Sequence, residues 1–209
     1  MGAGIATAAL LAGLPAVLIE MTEESAAAAR GRIEGNLKGA LRRGKISQAQ
    51  YEQLTGGALT VATDYAALGQ VDLVVEAVFE DMGVKREVFG KLDAHCKPGA
   101  VLASNTSYLD VDDIAAATSR PQDVIGLHVF SPAHVMKLLE GVVAQQTAPE
   151  VLATGFALGK RLKKVAVRSG ICDGFIGNRI MNAYRKAAEY VVLDGASPYQ
   201  VDQAVTGFG

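Results

Sequence analysis

The chain has 209 residues, half of them hydrophobic and a fifth charged, so it can bury a core as one domain plus part of a second. The formal net charge of −2 at pH 7, without a stripe of lysine and arginine, argues against a nucleic-acid partner. The longest apolar stretch, residues 5–19, is interrupted by Gly13 and Pro15 and is too short to span a bilayer, so no membrane association is predicted.

The predicted elements alternate between helices and short apolar strands. In chain order they are a helix over residues 2–12, a strand over 16–19, a helix over 22–43, a strand over 71–78, a helix over 82–95, a strand over 100–104, a helix over 110–118, strands over 123–130 and 138–143, a helix over 149–162, a strand over 165–167, a helix over 175–193 and a last helix that begins at Pro198. This order predicts a doubly wound, mainly parallel α/β sheet, which binds ligands beyond the carboxyl ends of its strands. The change to continuous helix near residue 170 predicts a domain boundary.

The small number of cysteines limits the kinds of site that the chain can contain. Cys96 and Cys172 lack the CxxC spacing of a zinc site, and two cysteines do not make a disulfide framework. We therefore predict no metal and a reducing, cytoplasmic location.

The first helix and the strand after it have features of a nucleotide site. A helix that opens with Gly2-Ala3-Gly4 can approach a phosphate closely, although alone this pattern favours a tightly packed helix. Glu20 ends the next strand, where a carboxylate accepts hydrogen bonds from both ribose hydroxyls and repels a 2′-phosphate. Together they favour NAD over NADP; the alternative for Glu20 is a solvated acid at a strand end.

A histidine and a glutamate lie on two consecutive predicted strands. A lone histidine in an apolar strand, such as His128, is more often a hydrogen-bonded core residue. Glu140 lies on the next strand, and adjacent strands can place an acid against an imidazole nitrogen, which fixes the tautomer and favours the protonated form. The residues alone leave a core histidine and a functional pair as equal alternatives.

Small polar residues occur at the end of one strand and at the start of one helix. The segment SNTS at 104–107, which contains Ser107, suits a cofactor cleft but also a plain turn or a helix cap. Asn178 stands at the start of the helix over 175–193, where capping is favoured over a ligand contact.

Several segments together resemble the L-3-hydroxyacyl-CoA dehydrogenases. They are SNTSYL at 104–109, GLHVFSPAHVMKLLE at 126–140, CDGFIGNR at 172–179, and VVEAVFED at 74–81 with KREVF at 85–89. The similarity runs over nearly all of the chain, and the segments keep their mutual spacing. The segment FSPAHVM at 130–136 resembles that of the multifunctional branch of the family, in which an enoyl-CoA hydratase precedes the dehydrogenase.

The resemblance implies NAD-dependent oxidation of L-3-hydroxyacyl-CoA to 3-oxoacyl-CoA in fatty-acid β-oxidation. It implies that His128 is the catalytic base with Glu140 as its partner, and that Ser107 and Asn178 bind the reacting oxygen of the substrate. The contacts that we expect are Gly2, Glu20, Glu80, Lys85, Ser107 and Ser131 with the cofactor, and Ser107, Lys85 and Asn178 with the acyl-CoA.

The sequence departs from the family pattern at both ends and at two internal positions. The family begins with a strand and the first two glycines of GxGxxG, and continues into further helices. We therefore expect a Rossmann-like sheet without its first strand over residues 1–170, followed by the beginning of an all-helical domain over 171–209. Ser131 stands where asparagine is common, and Gly141 where a β-branched residue is usual. A homodimer, or a place in a larger multifunctional chain, is also expected.

Two other functions remain as alternatives. One is a non-catalytic fragment that binds acyl-CoA or a partner chain without turnover. The other is a different hydroxyacid dehydrogenase of the same fold; these usually rely on a lysine base, and the pair of His128 and Glu140 argues against that.

Overall fold

Eight α-helices and seven β-strands alternate along residues 1–208, the part of the chain that the computed structural model describes. Residue 209, the last of the predicted helical segment, lies outside the described residues. None of the helices within residues 1–208 combines the length and the apolarity that crossing a membrane requires. The helices are α1 (Gly2–Leu11), α2 (Glu23–Arg42), α3 (Gln48–Gly56), α4 (Met82–His95), α5 (Val111–Ala115), α6 (Pro149–Arg161), α7 (Gly177–Leu193) and α8 (Pro198–Phe208). The strands are β1 (Ala16–Ile19), β2 (Leu59–Ala62), β3 (Leu73–Glu76), β4 (Val101–Ser104), β5 (Val124–Val129), β6 (Leu138–Val142) and β7 (Val165–Ser169).

The structure confirms the predicted alternation and adds three elements between residues 44 and 70. These are α3, β2 and a one-turn 3₁₀ helix, Tyr65–Leu68. α3 begins with a capping box in which Ser47 and Gln50 exchange hydrogen bonds. The spacing S-x-x-Q is the sequence signal that could have located this helix.

The strands form two sheets. β1 pairs with β2 in parallel, and the second sheet has the order β3-β4-β5-β6-β7, in which only the β5–β6 pair is antiparallel. The prediction of a mainly parallel sheet is therefore confirmed. Among the described residues, β1 and β3 each keep one edge without a strand partner, as expected for a doubly wound sheet without its first strand.

Helices cover both faces of the sheets. Along β4, Leu102 packs beneath α4 and α5, whereas Val101 and Ala103 pack on the other face, beneath α6. This division follows from the alternation of side chains along a strand. α1 and α2 cover β1 and β2 through a third cluster that includes Leu10 and Ile33. The core therefore holds the strands side by side between the helices, and the carboxyl ends of the parallel strands form the edge that carries the site.

Two glycines on neighbouring strands are required by close packing. A Cβ on Gly126 would lie 2.7 Å from Cβ of Val142, and a Cβ on Gly141 would lie 2.9 Å from Cε2 of Phe156 in α6. The aromatic ring of Phe156 therefore occupies the space that a β-branched side chain at position 141 would need. This contact explains the departure of Gly141 from the family pattern.

Replacing Gly126 by alanine is expected to lower the free energy of unfolding by about 1–3 kcal/mol, because the added methyl group must displace Val142. Urea unfolding followed by circular dichroism measures the change. Gly31→Ala is the matched control, since nothing lies within 4 Å of its new Cβ in α2. It should be neutral or stabilising by up to about 1 kcal/mol. Equal stability of the two variants would contradict this account of the packing.

Candidate active site

A cleft opens beyond the carboxyl ends of β3 and β4. Met1 immediately precedes α1, so the amino end of this helix borders the cleft. A helix amino end at the carboxyl edge of a parallel sheet is the place where doubly wound folds bind the phosphates of nucleotides. The cleft has a volume of about 320 Å³ and is lined by Met1, Ala77, Val78, Glu80, Asn105, Ser107 and Tyr108.

The antiparallel strands β5 and β6 place His128 directly opposite Glu140. The two residues are partners in the register of the strands, and Nδ1 of His128 lies 2.6 Å from Oε2 of Glu140. Both side chains are buried, with 5% and 0% of their surface exposed. Directly opposed residues of an antiparallel pair point to the same face of a sheet. The structure therefore brings the predicted pair together.

The second carboxylate oxygen of Glu140 is held by the start of α7. Oε1 accepts hydrogen bonds from the backbone N–H groups of Ile176, at 3.0 Å, and of Gly177, at 2.7 Å. N–H groups at a helix start carry partial positive charge and stabilise a carboxylate. The approach requires glycine at 177, since a Cβ there would lie 2.6 Å from Cζ of Phe130. Glu140 therefore orients the imidazole and anchors α7 at once.

Aromatic rings and one hydroxyl group surround the rest of the His128 imidazole. The ring centroid of Phe130 lies 4.5 Å from that of His128, and the ring of Phe175 lies at 5.8 Å. Nε2 of His128 lies 3.2 Å from Oγ of Ser107, which lines the cleft. Because Glu140 engages Nδ1, Nε2 is the nitrogen that is available for proton transfer at the cleft.

Glu80 holds the segment that carries Ser107. Its Oε1 accepts hydrogen bonds from Oγ1 of Thr106 at 2.6 Å, from the backbone N–H of Ser107 at 2.7 Å and from that of Tyr108 at 3.0 Å. Burial raises the pKa of the Glu80 carboxyl, but these hydrogen bonds and the charge of Lys85 outweigh burial and lower the pKa below its ordinary value. Glu80 is therefore an anion at neutral pH.

Lys85 lies behind the cleft instead of on its wall. Its side chain is 1% exposed, and Nζ lies 2.8 and 3.1 Å from the two carboxylate oxygens of Glu76 and 3.4 Å from Oε2 of Glu80. The ammonium group is enclosed by carboxylates, so the expected contact of Lys85 with acyl-CoA has almost no exposed surface to make it. The sequence interpretation missed Glu76, although an acid in an apolar buried strand requires a partner and could have revealed it.

The other predicted site residues lie near the same edge of the sheet. Glu20 is half-buried at the end of β1, and a Cβ on Gly2 in the first turn of α1 would lie 3.4 Å from Cδ1 of Leu18. Ser131 is exposed in the loop after β5, and Asn178 is buried in the first turn of α7. Within residues 1–208, no side chain of these residues is hydrogen-bonded to the network around His128, so their contacts with ligands stay predictions.

Similarity to known proteins identifies the family. Residues 1–172 match the family model described as "3-hydroxyacyl-CoA dehydrogenase, NAD binding domain". All 209 residues align at 44% identity with the peroxisomal bifunctional enzyme of Cavia porcellus, of which the chain spans 28%. FadB2 of M. tuberculosis has a TM-score of 0.93 at 38% identity, over 99% of this chain and 73% of that chain. The dehydrogenase part of multifunctional enzyme 1 from C. elegans has a TM-score of 0.74 at 30% identity, over 100% of this chain and 48% of that chain.

The prediction of a cytoplasmic location is wrong. The relative from Cavia porcellus is named a peroxisomal enzyme, and relatives from Arabidopsis thaliana and Brassica napus are named peroxisomal and glyoxysomal multifunctional proteins. The prediction depended on the small number of cysteines, which bears only on redox conditions and does not distinguish one reducing compartment from another.

The family match confirms the recognition from motifs and the prediction of NAD as the cofactor. The similarity to multifunctional enzymes likewise confirms the branch that FSPAHVM indicated. With the family model covering residues 1–172 and relatives of solved structure sharing the whole fold, the chain belongs to the NAD-binding-domain family of the 3-hydroxyacyl-CoA dehydrogenases.

Proposed function

We propose that the protein containing this chain oxidises L-3-hydroxyacyl-CoA to 3-oxoacyl-CoA with NAD, as a step of fatty-acid β-oxidation. The observation that carries the proposal is the buried 2.6 Å contact between His128 and Glu140, next to Ser107 at the cleft. The name of a solved relative from Ralstonia eutropha, (S)-3-hydroxybutyryl-CoA dehydrogenase, supports the substrate class.

The cleft and its surroundings fit a bound dinucleotide. The amino end of α1, which begins at Gly2, would hold the pyrophosphate, and the carboxylate of Glu20 at the end of β1 would bind the adenosine ribose. Glu80 and Ser107 line the cleft, and Ser131 is exposed beyond β5. When bound, NAD supplies the nicotinamide carbon that accepts a hydride.

His128 acts as the general base in this proposal. Its Nδ1–H donates to Glu140, which leaves the lone pair on Nε2 to take the proton of the 3-hydroxyl while the C3–H electron pair departs as hydride. Glu140 stabilises the imidazolium that forms, and its charge is balanced in turn by the N–H groups at the start of α7. Ser107 and Asn178 orient the oxygen that becomes the 3-oxo group.

We also propose two structural units, an NAD-binding domain over residues 1–170 and the beginning of a helical substrate domain from residue 171. The family model ends at residue 172, and Asn178 is the only buried residue of α7, which supports this division. The functional form is a homodimer or part of a larger multifunctional chain, and the multifunctional relatives support the second possibility.

A lysine-based dehydrogenase has no support from the geometry of this cleft. Lys85 is the lysine behind it, and its ammonium group is buried between the carboxylates of Glu76 and Glu80. A cation held in this way has no free lone pair with which to accept a proton.

His128→Ala in the full-length protein is expected to lower kcat by at least about 100-fold, because a general base is lost. The dissociation constant for NADH should change by less than about twofold, because the affinity for NADH does not depend on proton transfer at the 3-oxygen. The assay is the oxidation of NADH with acetoacetyl-CoA, and binding is followed by NADH fluorescence.

His95→Ala, at an exposed position of α4, is the control and should retain wild-type turnover. Wild-type turnover in His128→Ala would remove His128 from the mechanism. A folded wild-type protein that does not bind NADH would favour the non-catalytic alternative.

Gly177→Ala is expected to lower kcat by about 10- to 100-fold. The new methyl group would force the start of α7 away from Phe130 and weaken two hydrogen bonds to Glu140. Hydrogen bonds to a charged group contribute about 1.5–3 kcal/mol, and about 1.4 kcal/mol corresponds to tenfold in rate. Steady-state kinetics measure the loss.

The matched control for α7 is Gly90→Ala in α4, where nothing lies within 4 Å of the added Cβ. This variant should keep the kcat of the wild type. If Gly177→Ala also kept it, the contact between α7 and Glu140 would have no part in catalysis.

A further inference from the structure

We propose that Glu76 and Lys85 are positioning residues, which hold Glu80 so that Glu80 fixes the Ser107 hydroxyl against His128. This inference rests on the proposed function, in which Ser107 and His128 act on the reacting oxygen. It gives Lys85 a role behind the cleft, and it gives Glu76 a role that no motif suggested.

The first step is the buried ion pair at the end of β3. Besides Nζ of Lys85, the carboxylate of Glu76 accepts hydrogen bonds from Oγ of Ser104 at 2.7 Å and from the backbone N–H of Val78 at 2.6 Å. The side chains of both Glu76 and Lys85 are 1% exposed. A buried ion pair is weak evidence for stability, but a fully hydrogen-bonded one specifies a single geometry.

Lys85 connects this buried pair to the cleft. It lies in the first turn of α4, and its ammonium group stands between Glu76 and Oε2 of Glu80. Unlike Glu76, the side chain of Glu80 is 38% exposed and lines the cleft. A single cation therefore holds one carboxylate inside the protein and one at the cleft surface, which limits the positions that Glu80 can take.

Glu80 in turn fixes the turn that follows β4. All three of its hydrogen bonds from this turn meet at Oε1, the oxygen that does not contact Lys85. Oγ1 of Thr106 also accepts from the backbone N–H of Leu109 at 2.9 Å, which closes the turn. The backbone of Ser107 is thus held on the side of Glu80, while its hydroxyl lies 3.2 Å from Nε2 of His128.

The reach of a general base explains why such positioning matters. Proton transfer requires heavy atoms within about 2.6–3.2 Å, and a displacement of about 1 Å can reduce the rate about 100-fold. Ser107 lies in a loop and is only half-buried, so its neighbours must supply the precision that a helix or strand would otherwise provide.

The test is the double variant Glu76→Gln with Lys85→Met in the full-length protein. Glutamine keeps an acceptor oxygen for the N–H of Val78 and places an NH₂ group against Oγ of Ser104, a hydroxyl that can accept as well as donate. The double change leaves no unpaired buried charge. We expect kcat to fall about 10- to 100-fold. Wild-type kcat in the folded variant would overturn the proposal.

The matched control is Glu87→Gln with Lys91→Met. This pair lies on the same helix, with Nζ 2.6 Å from the carboxylate oxygen, but its side chains are 47% and 69% exposed for Lys91 and Glu87. An exposed ion pair contributes little, so kcat should be unchanged. Because the control carries the same two substitutions, an equal loss of activity in both double variants would refute the positioning role.

Coupling through Ser107 is tested by adding Ser107→Ala. If Glu76 and Lys85 act through the hydroxyl of Ser107, the double variant should reduce kcat by less than about twofold further once that hydroxyl is absent. If the reductions in kcat caused by the double variant and by Ser107→Ala multiplied fully, the pair would act on the reaction by a route other than Ser107, which contradicts the proposal.

Imidazole NMR signals provide a measurement that does not depend on turnover. The signals of His128 are assigned by their loss in His128→Ala and are compared with those of His95 and His134. The double variant and Ser107→Ala should both shift the His128 signals and leave the other two in place. An unmoved His128 signal in the folded double variant would overturn the proposal.

A second route covers the case in which the double variant does not fold. Glu80→Ala removes the partly exposed member alone, and it should lower kcat and shift the His128 signals in the same way. A wild-type protein without turnover would refute the proposed function, whereas the NMR comparison would still decide whether the network positions Ser107. Wild-type His128 signals in Glu80→Ala would refute the positioning network itself.

Discussion

The carboxylate of Glu140 is completely buried, and each of its two oxygens contacts a different part of the chain. Oε2 lies 2.6 Å from Nδ1 of His128 in β5, and Oε1 accepts hydrogen bonds from two backbone N–H groups at the start of α7. An unpaired carboxylate at this depth would cost several kcal/mol, so these donors must be in place together. The sheet and the helix that follows it are therefore coupled through one side chain, and the orientation of the His128 imidazole depends on how α7 docks.

The buried ammonium group of Lys85 belongs to a second network, which leads to Nε2 of the His128 imidazole through Glu80 and Ser107. Lys85 forms ion pairs with both Glu76 and Glu80, and Glu80 accepts a hydrogen bond from the backbone N–H of Ser107. Nδ1 of His128 thus contacts Glu140 in the neighbouring strand, and Nε2 contacts the hydroxyl of Ser107. The position of that hydroxyl depends on the loops that follow β3 and β4. This arrangement uses the carboxyl ends of adjacent strands, where parallel sheets bring chain segments of distant sequence together.

Sequence patterns located most of the strands and helices but not those between residues 44 and 70. The strand Ala16–Ile19 and the helix Met82–His95 have the bounds that were predicted, since each contains a clear apolar run or helical period. α3 has no buried residue, and β2 has four residues with one buried, so neither produces a strong periodic signal. Only the capping chemistry of Ser47 and Gln50 marks α3 in the sequence.

The sequence alone determined the family and the alternating fold, because these depend on short motifs and on apolar periodicity. The roles of His128 and Glu140 as base and partner stay a prediction that the family resemblance suggested. Only the tertiary structure decided which of the charged side chains around the cleft form ion pairs with one another. Residues 76, 80 and 85 are close in sequence, but only the packing of α4 against β3 shows that the lysine is enclosed between the two acids instead of facing a ligand. Burial and hydrogen-bond direction depend on contacts between separate elements, and such contacts leave no regular pattern along the chain.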